Sequence, residues 1–314
     1  MNWKSRAEME RLRRRAAILA AIRARFAQQG VLEVETPVLA QSSCLDPQVP
    51  SLELPLAEQD SRWLQTSPEN HMKRLLAAGS GPIYRLGPVF RAGEMGRWHG
   101  PEFTLLEWYR PGFDDIALMV DVAGLMEHLG GPKRCRMSTF AELLQSQAGL
   151  DLHQSPTEEV ASWCEERGLK DASTQSRDTL LDYIMGVHIG PKLGRDGLQF
   201  VTEFPASQAA LARLDGQDPR VARRFELYWR GLELANGFHE LGDAAEQSAR
   251  FEQEQAQREA DGLAAIPTDQ RLLAALEAGL PDCAGVALGV DRLVALLTGA
   301  ESVAETQCFP WDDA

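Results

Sequence analysis

Hydrophobic positions recur at helical or strand-like spacings along most of the chain. Apolar residues fall every three or four positions between 9 and 26, which predicts a helix that ends at Gly30. The other predicted helices lie at about 67–79, 114–129, 139–168, 244–262 and 269–279. The predicted strands lie at 31–34, 52–54, 83–91, 103–110, 198–203, 224–229 and 232–238, and a glycine-spaced strand runs into a helix over 284–297. Strands between helices, without a regular βαβ alternation, predict an α+β fold around an antiparallel sheet flanked by helices.

The middle of the chain interrupts this pattern. Residues 170–197 are predicted to be irregular, and the stretch of about 133–197 is interpreted as an insertion within one domain. A length of 314 residues allows one large domain or two ordinary ones. With 44% hydrophobic and 25% charged residues, the chain can bury a substantial core.

Composition excludes several classes of protein. No apolar run approaches the roughly 20 residues that a membrane-spanning helix needs, and the basic start lacks the apolar stretch of a secretory signal. Five scattered cysteines without a Cys-x-x-Cys pair indicate reduced thiols and argue against zinc or a disulfide framework. We therefore expect a cytoplasmic protein that does not bind membranes.

The charge balance disfavours one further activity. The chain has 32 Lys+Arg against 46 Asp+Glu, a formal net charge of −14, which disfavours non-specific binding to nucleic acid. The first helix nevertheless carries seven arginines at 6–25 outside its apolar face. They are either a contact for an acidic partner or a solvated face whose stems cover apolar surface.

Arg91 is the first candidate for chemistry. It follows a predicted strand and precedes a glycine-rich loop over 92–101, where a guanidinium can hold two oxygens of a phosphate or carboxylate. Taken alone, such an arginine usually forms a structural ion pair. The returning strand strengthens the functional interpretation, because it brings alternating carboxylate and aromatic side chains such as Glu107 and Tyr109 beside the same loop.

Glu226, Glu233 and Glu240 are spaced by seven residues. On a helix this spacing is typical of a solvated acidic stripe. The aromatic residues and glycines between them instead favour two strands with a turn near Gly231. Carboxylates on adjacent strands could hold Mg²⁺, which shares oxygen ligands with substrate phosphates.

Residues 285–292 combine small residues along a strand with Asp291 and Arg292 at the start of a helix. Small residues in a strand indicate the close approach of a ligand or of another backbone. The segment lacks the phosphate-binding turn of a dinucleotide fold, and the chain has no Gly-x-x-x-x-Gly-Lys-Ser/Thr loop. If ATP binds, it binds without a P-loop.

Together these segments resemble the three signature motifs of class II aminoacyl-tRNA synthetases, in the lysyl branch. The three motifs correspond to residues 30–37, to Phe90-Arg91 through Glu102-Phe103, and to 285–292, and two segments that resemble the lysine pocket are 66–69 and 234–241. The resemblance implies the class II catalytic core, with ATP as co-substrate, Mg²⁺ as cofactor and a homodimer formed through the first motif.

Two features set the chain apart from a lysyl-tRNA synthetase. Only one helix precedes the first motif, which leads us to expect no N-terminal oligonucleotide-binding domain and makes tRNA an unfavoured partner. Ser67 and Ala287 stand where lysyl-tRNA synthetases carry Ala and Gly, and both are found in the paralogues that attach (R)-β-lysine to a lysine of elongation factor P. The resemblance thus implies an AMP-forming ligase acting on (R)-β-lysine, or lysine, and elongation factor P.

Two alternatives stay open from the sequence. One is a ligase that charges tRNA with lysine, and the other is a catalytically silent paralogue that serves in regulation. The retained Arg91, Glu233 and Arg292 argue against the silent paralogue.

The resemblance also implies a role for individual residues. Arg91 and Arg292 are the implied catalytic residues, and Glu226 and Glu233 the implied metal ligands. The implied amino-acid site consists of Ser67, Pro68, Glu69, Glu107, Tyr109, Asn236, Phe238, Glu240 and Ala287. The implied ATP site consists of Arg91, Ala92, Gly93, Glu94, His99, Gly100, Phe103, Glu233, Leu234, Gly289 and Arg292. At Ala92, Gly93 and Gly100 the loop departs from the common family sequence, so only main-chain contacts are expected there.

Overall fold

The structure is a computed structural model that describes residues 5–57 and 60–314. Its helices are α1 (Met9–Gln28), α2 (Glu69–Ala77), α3 (Asp115–His128), α4 (Phe140–Ala148), α5 (Thr157–Glu165), α6 (Arg177–Tyr183), α7 (Ala244–Ala260), α8 (Gln270–Gly279) and α9 (Val290–Thr298). Its strands are β1 (Leu32–Glu33), β2 (Leu39–Ala40), β3 (Glu53–Ala57), β4 (Asp60–Leu64), β5 (Ile83–Phe90), β6 (Glu102–Pro111), β7 (Cys135–Thr139), β8 (Leu198–Pro205), β9 (Val221–Trp229), β10 (Leu232–His239) and β11 (Cys283–Gly289). None of the helices in these two ranges is long and apolar enough to cross a membrane.

Two compact units make up the chain. Unit 1 comprises Met1–Asp114 with Leu241–Ala314, and unit 2 comprises Asp115–Glu240. The predicted insertion at 133–197 lies within unit 2. A single catalytic domain over 1–314 with that insertion stays a prediction.

Unit 1 is built on four strands in the order β1-β5-β6-β11, in which only the β1–β5 pair is parallel. One face of this sheet packs on α1, where Phe26 stacks on Tyr84 with ring centroids 4.5 Å apart. The other face packs on α2 through a buried cluster that includes Met72, Ile83 and Tyr109. A small antiparallel sheet, β2-β4-β3, completes the strands described in the unit.

Unit 2 has strands in the order β10-β9-β8-β7, and only the β7–β8 pair is parallel. Its hydrophobic core lies between this sheet and helices α4, α5 and α6, with Phe140, Val160, Leu180 and Val201 almost fully buried. Each unit therefore combines a mostly antiparallel sheet with helices, and the predicted α+β class is confirmed.

Unit 2 also contains the main errors of the secondary-structure prediction. The helix predicted over 139–168 is two helices, because Gly149 adopts a left-handed φ of 73° and Pro156 stands before α5. The stretch at 170–197, predicted to be irregular, contains α6 and a π-helical turn at Ile184–Ile189. Strand β7 was not predicted.

The arginines of α1 are largely used inside unit 1. Arg11 pairs with Glu305 at 2.7 Å, and Arg15 pairs with the buried Asp291 at 2.6 Å. Arg23 pairs with Glu33 at 3.0 Å. These ion pairs favour the structural interpretation of the arginine face over a contact for an acidic partner.

Candidate active site

The β5–β6 hairpin carries the predicted catalytic arginine of unit 1. Arg91 lies one residue beyond β5, and its backbone N–H donates to the carbonyl of Pro101 at 2.9 Å, across the mouth of the loop. Its guanidinium lies over the ring of Phe103, 5.1 Å from the centroid, and Nη1 is 3.5 Å from Glu94. Its Nε is buried with no hydrogen-bond partner among the described residues. Arg91 thus keeps donor capacity for an anionic ligand.

The loop after Arg91 offers a ligand mainly backbone groups and few side chains. Gly93 has a φ of 74°, a conformation that favours glycine, and a Cβ on Gly100 would lie 3.3 Å from the carbonyl of Glu102. The N–H of Ala92 donates to the carbonyl of Pro50 at 2.8 Å. That donor is already used, so we expect the main-chain contact predicted at Ala92 to come from Gly93 instead.

Arg292 is held at the start of α9 by its neighbour. Asp291 is 3% exposed and accepts from the backbone N–H of Thr104 at 2.7 Å, which fixes α9 to β6. The guanidinium of Arg292 donates from Nε to the carbonyl of Trp98 at 3.1 Å, and Nη2 lies 2.5 Å from Nε2 of His99. A guanidinium has no acceptor, so Nε2 of His99 is the acceptor in this contact. Two predicted ATP-site residues, Arg292 and His99, therefore contact each other.

Glu107 is the central carboxylate of the predicted amino-acid site. It is 2% exposed, and its two oxygens accept from Ser67 Oγ at 2.7 Å and from the Tyr109 hydroxyl at 2.8 Å. Burial and the charge of Glu69 raise the pKa of Glu107 to about 7, against the lowering effect of both hydroxyls and of Lys73. A bound ammonium would favour the ionised form, so this carboxylate is suited to receive an amine.

Ser67, Pro68 and Glu69 lead into α2 beside Glu107. Besides donating to Glu107, Ser67 Oγ accepts from the backbone N–H of Glu69, the first residue of α2, at 3.0 Å. The N-cap of the helix is Pro68, one residue later than the Ser67 cap that the sequence predicted. The carboxylate of Glu69 pairs with Lys73 Nζ at 2.7 Å, one turn further along α2. The resemblance did not imply this partner.

Strand β11 places a row of small residues on the face of the sheet that carries Glu107. In register, Ala287 lies opposite Glu107, Gly285 opposite Tyr109 and Gly289 opposite Leu105. Residues directly opposite on antiparallel strands project to the same face, so the methyl of Ala287 lies beside the Glu107 side chain. Small residues there leave room for a ligand above β11.

The acidic residues of unit 2 lie on the β9–β10 hairpin, as predicted. Its turn is Arg230-Gly231, with φ of 52° and 79°. Glu226 accepts from Arg224 Nη2 at 2.6 Å and from the Tyr228 hydroxyl at 2.8 Å. Burial and the charge of Glu233 raise the pKa of Glu226 to about 7. The two glutamates are close enough to repel each other, and a divalent cation would relieve this repulsion.

The remaining predicted residues of unit 2 lie on β10 or, for Glu240, directly after it. Asn236 Oδ1 accepts from Arg224 Nε at 3.2 Å, and Phe238 packs on a small alanine cluster. Leu234 and Glu240 are buried, Glu240 with 1% exposure. A Cβ on Gly237 would lie 2.4 Å from the Phe225 ring, so any side chain at position 237 would clash with that ring.

The structure thus groups the predicted residues within each unit, and it adds two that the sequence analysis missed. Lys73 is 1% exposed and contacts Glu69, a pairing that the i,i+4 spacing on a helix could have indicated. Arg85 is 6% exposed and lies opposite Glu107 in register, which requires knowledge of the strand pairing. No group of three or more His, Cys, Asp or Glu side chains arranged to hold a metal occurs among residues 5–57 and 60–314.

Comparison with known proteins shows the family of the chain. The family model described as tRNA synthetases class II (D, K and N) matches residues 1–313. A protein of Pasteurella multocida (strain Pm70) named elongation factor P--(R)-beta-lysine ligase is 45% identical over 318 residues, which cover 100% of this chain and 98% of that protein. A protein of the same name from Vibrio parahaemolyticus serotype O3:K6 (strain RIMD 2210633) is 44% identical over 317 residues, with coverages of 99% and 98%. The resemblance drawn from the motifs is confirmed, and the chain belongs to the class II tRNA synthetase family of the D, K and N type.

Proposed function

We propose that the protein is an ATP-dependent, AMP-forming ligase that attaches (R)-β-lysine to the ε-amine of a lysine of elongation factor P. The observation that carries this proposal is the whole-chain similarity, at 44–45% identity, to two proteins named for that activity. Ser67 and Ala287, the two residues that separate the chain from a lysyl-tRNA synthetase, both lie against Glu107, which supports the same substrate. Charging of tRNA is not favoured.

The reaction has two steps. The carboxylate of the amino acid attacks the α-phosphorus of ATP, and pyrophosphate leaves as the acyl-adenylate forms. The lysine amine of the partner then attacks the acyl carbon, AMP leaves, and the amine loses a proton as the amide forms. Arg91 holds the carboxylate and the α-phosphate together and stabilises the charge that develops between them.

The other residues bind and orient. Phe103 and Arg292 stack on the two faces of adenine, and His99 with Gly93 and Gly100 contacts the phosphates and base. In unit 1, Glu69 and Glu107 receive one amine of the substrate and Tyr109 contacts the other. In unit 2, Glu240 takes an amine, and Asn236 and Phe238 line the slot.

Mg²⁺ is the proposed cofactor, with Glu226 and Glu233 as its ligands. Mg²⁺ binds through one or two carboxylates and shares its remaining positions with substrate phosphates, so a pair of glutamates is a sufficient donor set. The ion would neutralise charge on the phosphates of ATP. The raised pKa of Glu226 beside Glu233 supports a pair that gains from a cation.

The first step can be measured alone by pyrophosphate exchange. With ATP and Mg²⁺, exchange into ATP is expected to depend on (R)-β-lysine and to proceed more slowly with lysine. Absence of exchange with either amino acid would contradict the proposed activity.

Removing the methyl of Ala287 is expected to shift the choice of amino acid. Ala287→Gly should move the ratio of kcat/KM values toward lysine by about tenfold, because one methyl in such a pocket is worth roughly 1–3 kcal/mol. Ala284→Gly is the matched control, since Ala284 is on the same strand but on the opposite face. An unchanged ratio in Ala287→Gly would show that this methyl does not set specificity.

We also propose that the protein acts as a homodimer in the cytoplasm. The segment that resembles the first synthetase motif exposes Leu32, and Leu39, Leu54 and Leu56 are exposed in the same unit. Light scattering at micromolar concentration is expected to give twice the mass of one chain. A monomeric mass would remove this part of the proposal.

A further inference from the structure

Lys73 is the charged residue of unit 1 whose burial most needs an explanation. Its side chain lies on α2, is 1% exposed, and places Nζ 2.7 Å from Oε1 of Glu69. Burying an ammonium is costly unless it is paired, so a lysine at this position depends on the carboxylates around it. Glu107 on β6 interacts electrostatically with both Glu69 and Lys73. The pair therefore belongs to the group of side chains around Glu107.

Charged side chains on the surrounding elements also act on this group. Glu254 of α7 and Asp46 of the loop before β3 add negative charge near Glu69. Arg85 of β5 faces Glu107. On α8 and just before it, Arg271 and Asp269 act on His71 instead. Arg250 of α7 offsets part of the charge of Glu254, and Lys73 forms the direct ion pair with Glu69.

We propose that Lys73 is a positioning residue for substrate recognition, which fixes one oxygen of Glu69 and favours the charged form of the neighbouring Glu107, so that these side chains receive an amine of the amino acid. This inference rests on the proposed function, because it assigns Lys73 to the same pocket. Lys73 does not contact the reacting atoms. It acts through Glu69 and Glu107.

The physical reason is the repulsion between the buried carboxylate of Glu107 and the half-buried carboxylate of Glu69. Without a neighbouring cation, one of two such groups keeps a proton at neutral pH, and a protonated carboxyl does not pair with an ammonium. Lys73 lowers the pKa of Glu107, so removing Lys73 raises that pKa further. The loss of binding is therefore largest at low pH, and binding recovers as the pH rises and Glu107 ionises.

The test is pyrophosphate exchange by the full chain carrying Lys73→Met, measured from pH 6.5 to pH 9. We expect the KM for (R)-β-lysine to rise about fivefold at pH 7, more at pH 6.5, and to approach the wild-type value at pH 9, as a shift of about one pKa unit in Glu107 requires. The KM for ATP should stay within about twofold of the wild-type value. The weakened contact is the one to the ammonium group of the amino acid, and ATP has no such group. Arg74→Met, which removes the next cation along α2, should leave the profile unchanged.

A purely structural role for Lys73 would give a different result. It would lower the thermal stability, with the KM for (R)-β-lysine unchanged or raised equally at every pH, and either outcome overturns the inference. Should Lys73→Met not fold, Lys73→Gln also removes the charge, keeps a polar group for Glu69 and carries the same expectation. An inactive wild-type protein would instead contradict the proposed function, so the two failures can be told apart.

Discussion

Arg91→Ala is expected to lower kcat/KM for (R)-β-lysine-dependent pyrophosphate exchange by about 10³-fold, which is the scale of losing one preorganised group that stabilises developing charge. Arg91 lies at the end of a rigid hairpin, stacks on Phe103 and keeps a buried Nε without a partner among the described residues. A guanidinium in this position can bind the carboxylate and the α-phosphate at once. Alanine removes both contacts, so kcat should fall together with kcat/KM.

Arg97→Ala provides the matched control for this variant. Arg97 belongs to the same loop, but its guanidinium donates to the backbone carbonyl of Glu301 and lies over the ring of Trp98. We expect its exchange rate to remain within about threefold of wild type, because surface substitutions away from special features have small effects. Equal losses in the two variants would show that loop order, and not the Arg91 contacts, carries the effect.

Glu107→Gln is expected to raise the KM for (R)-β-lysine by about 100-fold at pH 8, since losing one partner of a buried charged contact costs about 2–5 kcal/mol. Glutamine keeps the size of the side chain and a hydrogen bond with Ser67, so the expected loss reflects the charge. Because burial and Glu69 raise the pKa of Glu107 to about 7, the wild-type KM should fall as the pH rises through 7. The variant should lack this part of the pH dependence.

The control for Glu107 is Glu277→Gln, the same change at an exposed position of α8. Its KM values and their pH dependence should equal those of the wild type. If Glu107→Gln instead kept the wild-type pH profile, another group would be the amine receptor and the assignment of Glu107 would be wrong.

Local patterns were sufficient for most elements of unit 1. The alternation over 83–91 and 103–110 predicted the β5–β6 hairpin within one or two residues, and the Ser-Pro-Glu sequence at 67–69 predicted the start of α2. Both elements follow the regular periods of strand or helix and have clear end signals. Sequence reasoning is strongest where this holds.

Unit 2 shows why the rest could not be predicted. Ile184, Met185 and Ile189 are buried in a π-helical turn, whose spacing does not follow the 3.6-residue period that identifies a helix. Strand β7 is largely exposed and lacks the alternation of buried and exposed residues that identifies a strand. It is defined by its parallel pairing with β8, about 60 residues further along the chain. Contacts between distant residues decide both elements.

The candidate site also contains residues that the sequence identified and residues that it did not. Ser67 and Ala287 were identified from family resemblance, and the structure places both beside Glu107. The buried state of Lys73 and the position of Arg85 opposite Glu107 depend on packing and strand register, which no local pattern contains. A charged residue therefore reveals its role in this pocket only when its partners are known.

The identity of the acceptor is the point on which the proposed function depends most. The decisive measurement incubates the protein with ATP, Mg²⁺ and labelled (R)-β-lysine in the presence of both elongation factor P and bulk tRNA, and then locates the label. We expect the label on elongation factor P, in an amide that resists mild alkali, and none on tRNA. Label on tRNA alone would contradict the proposal.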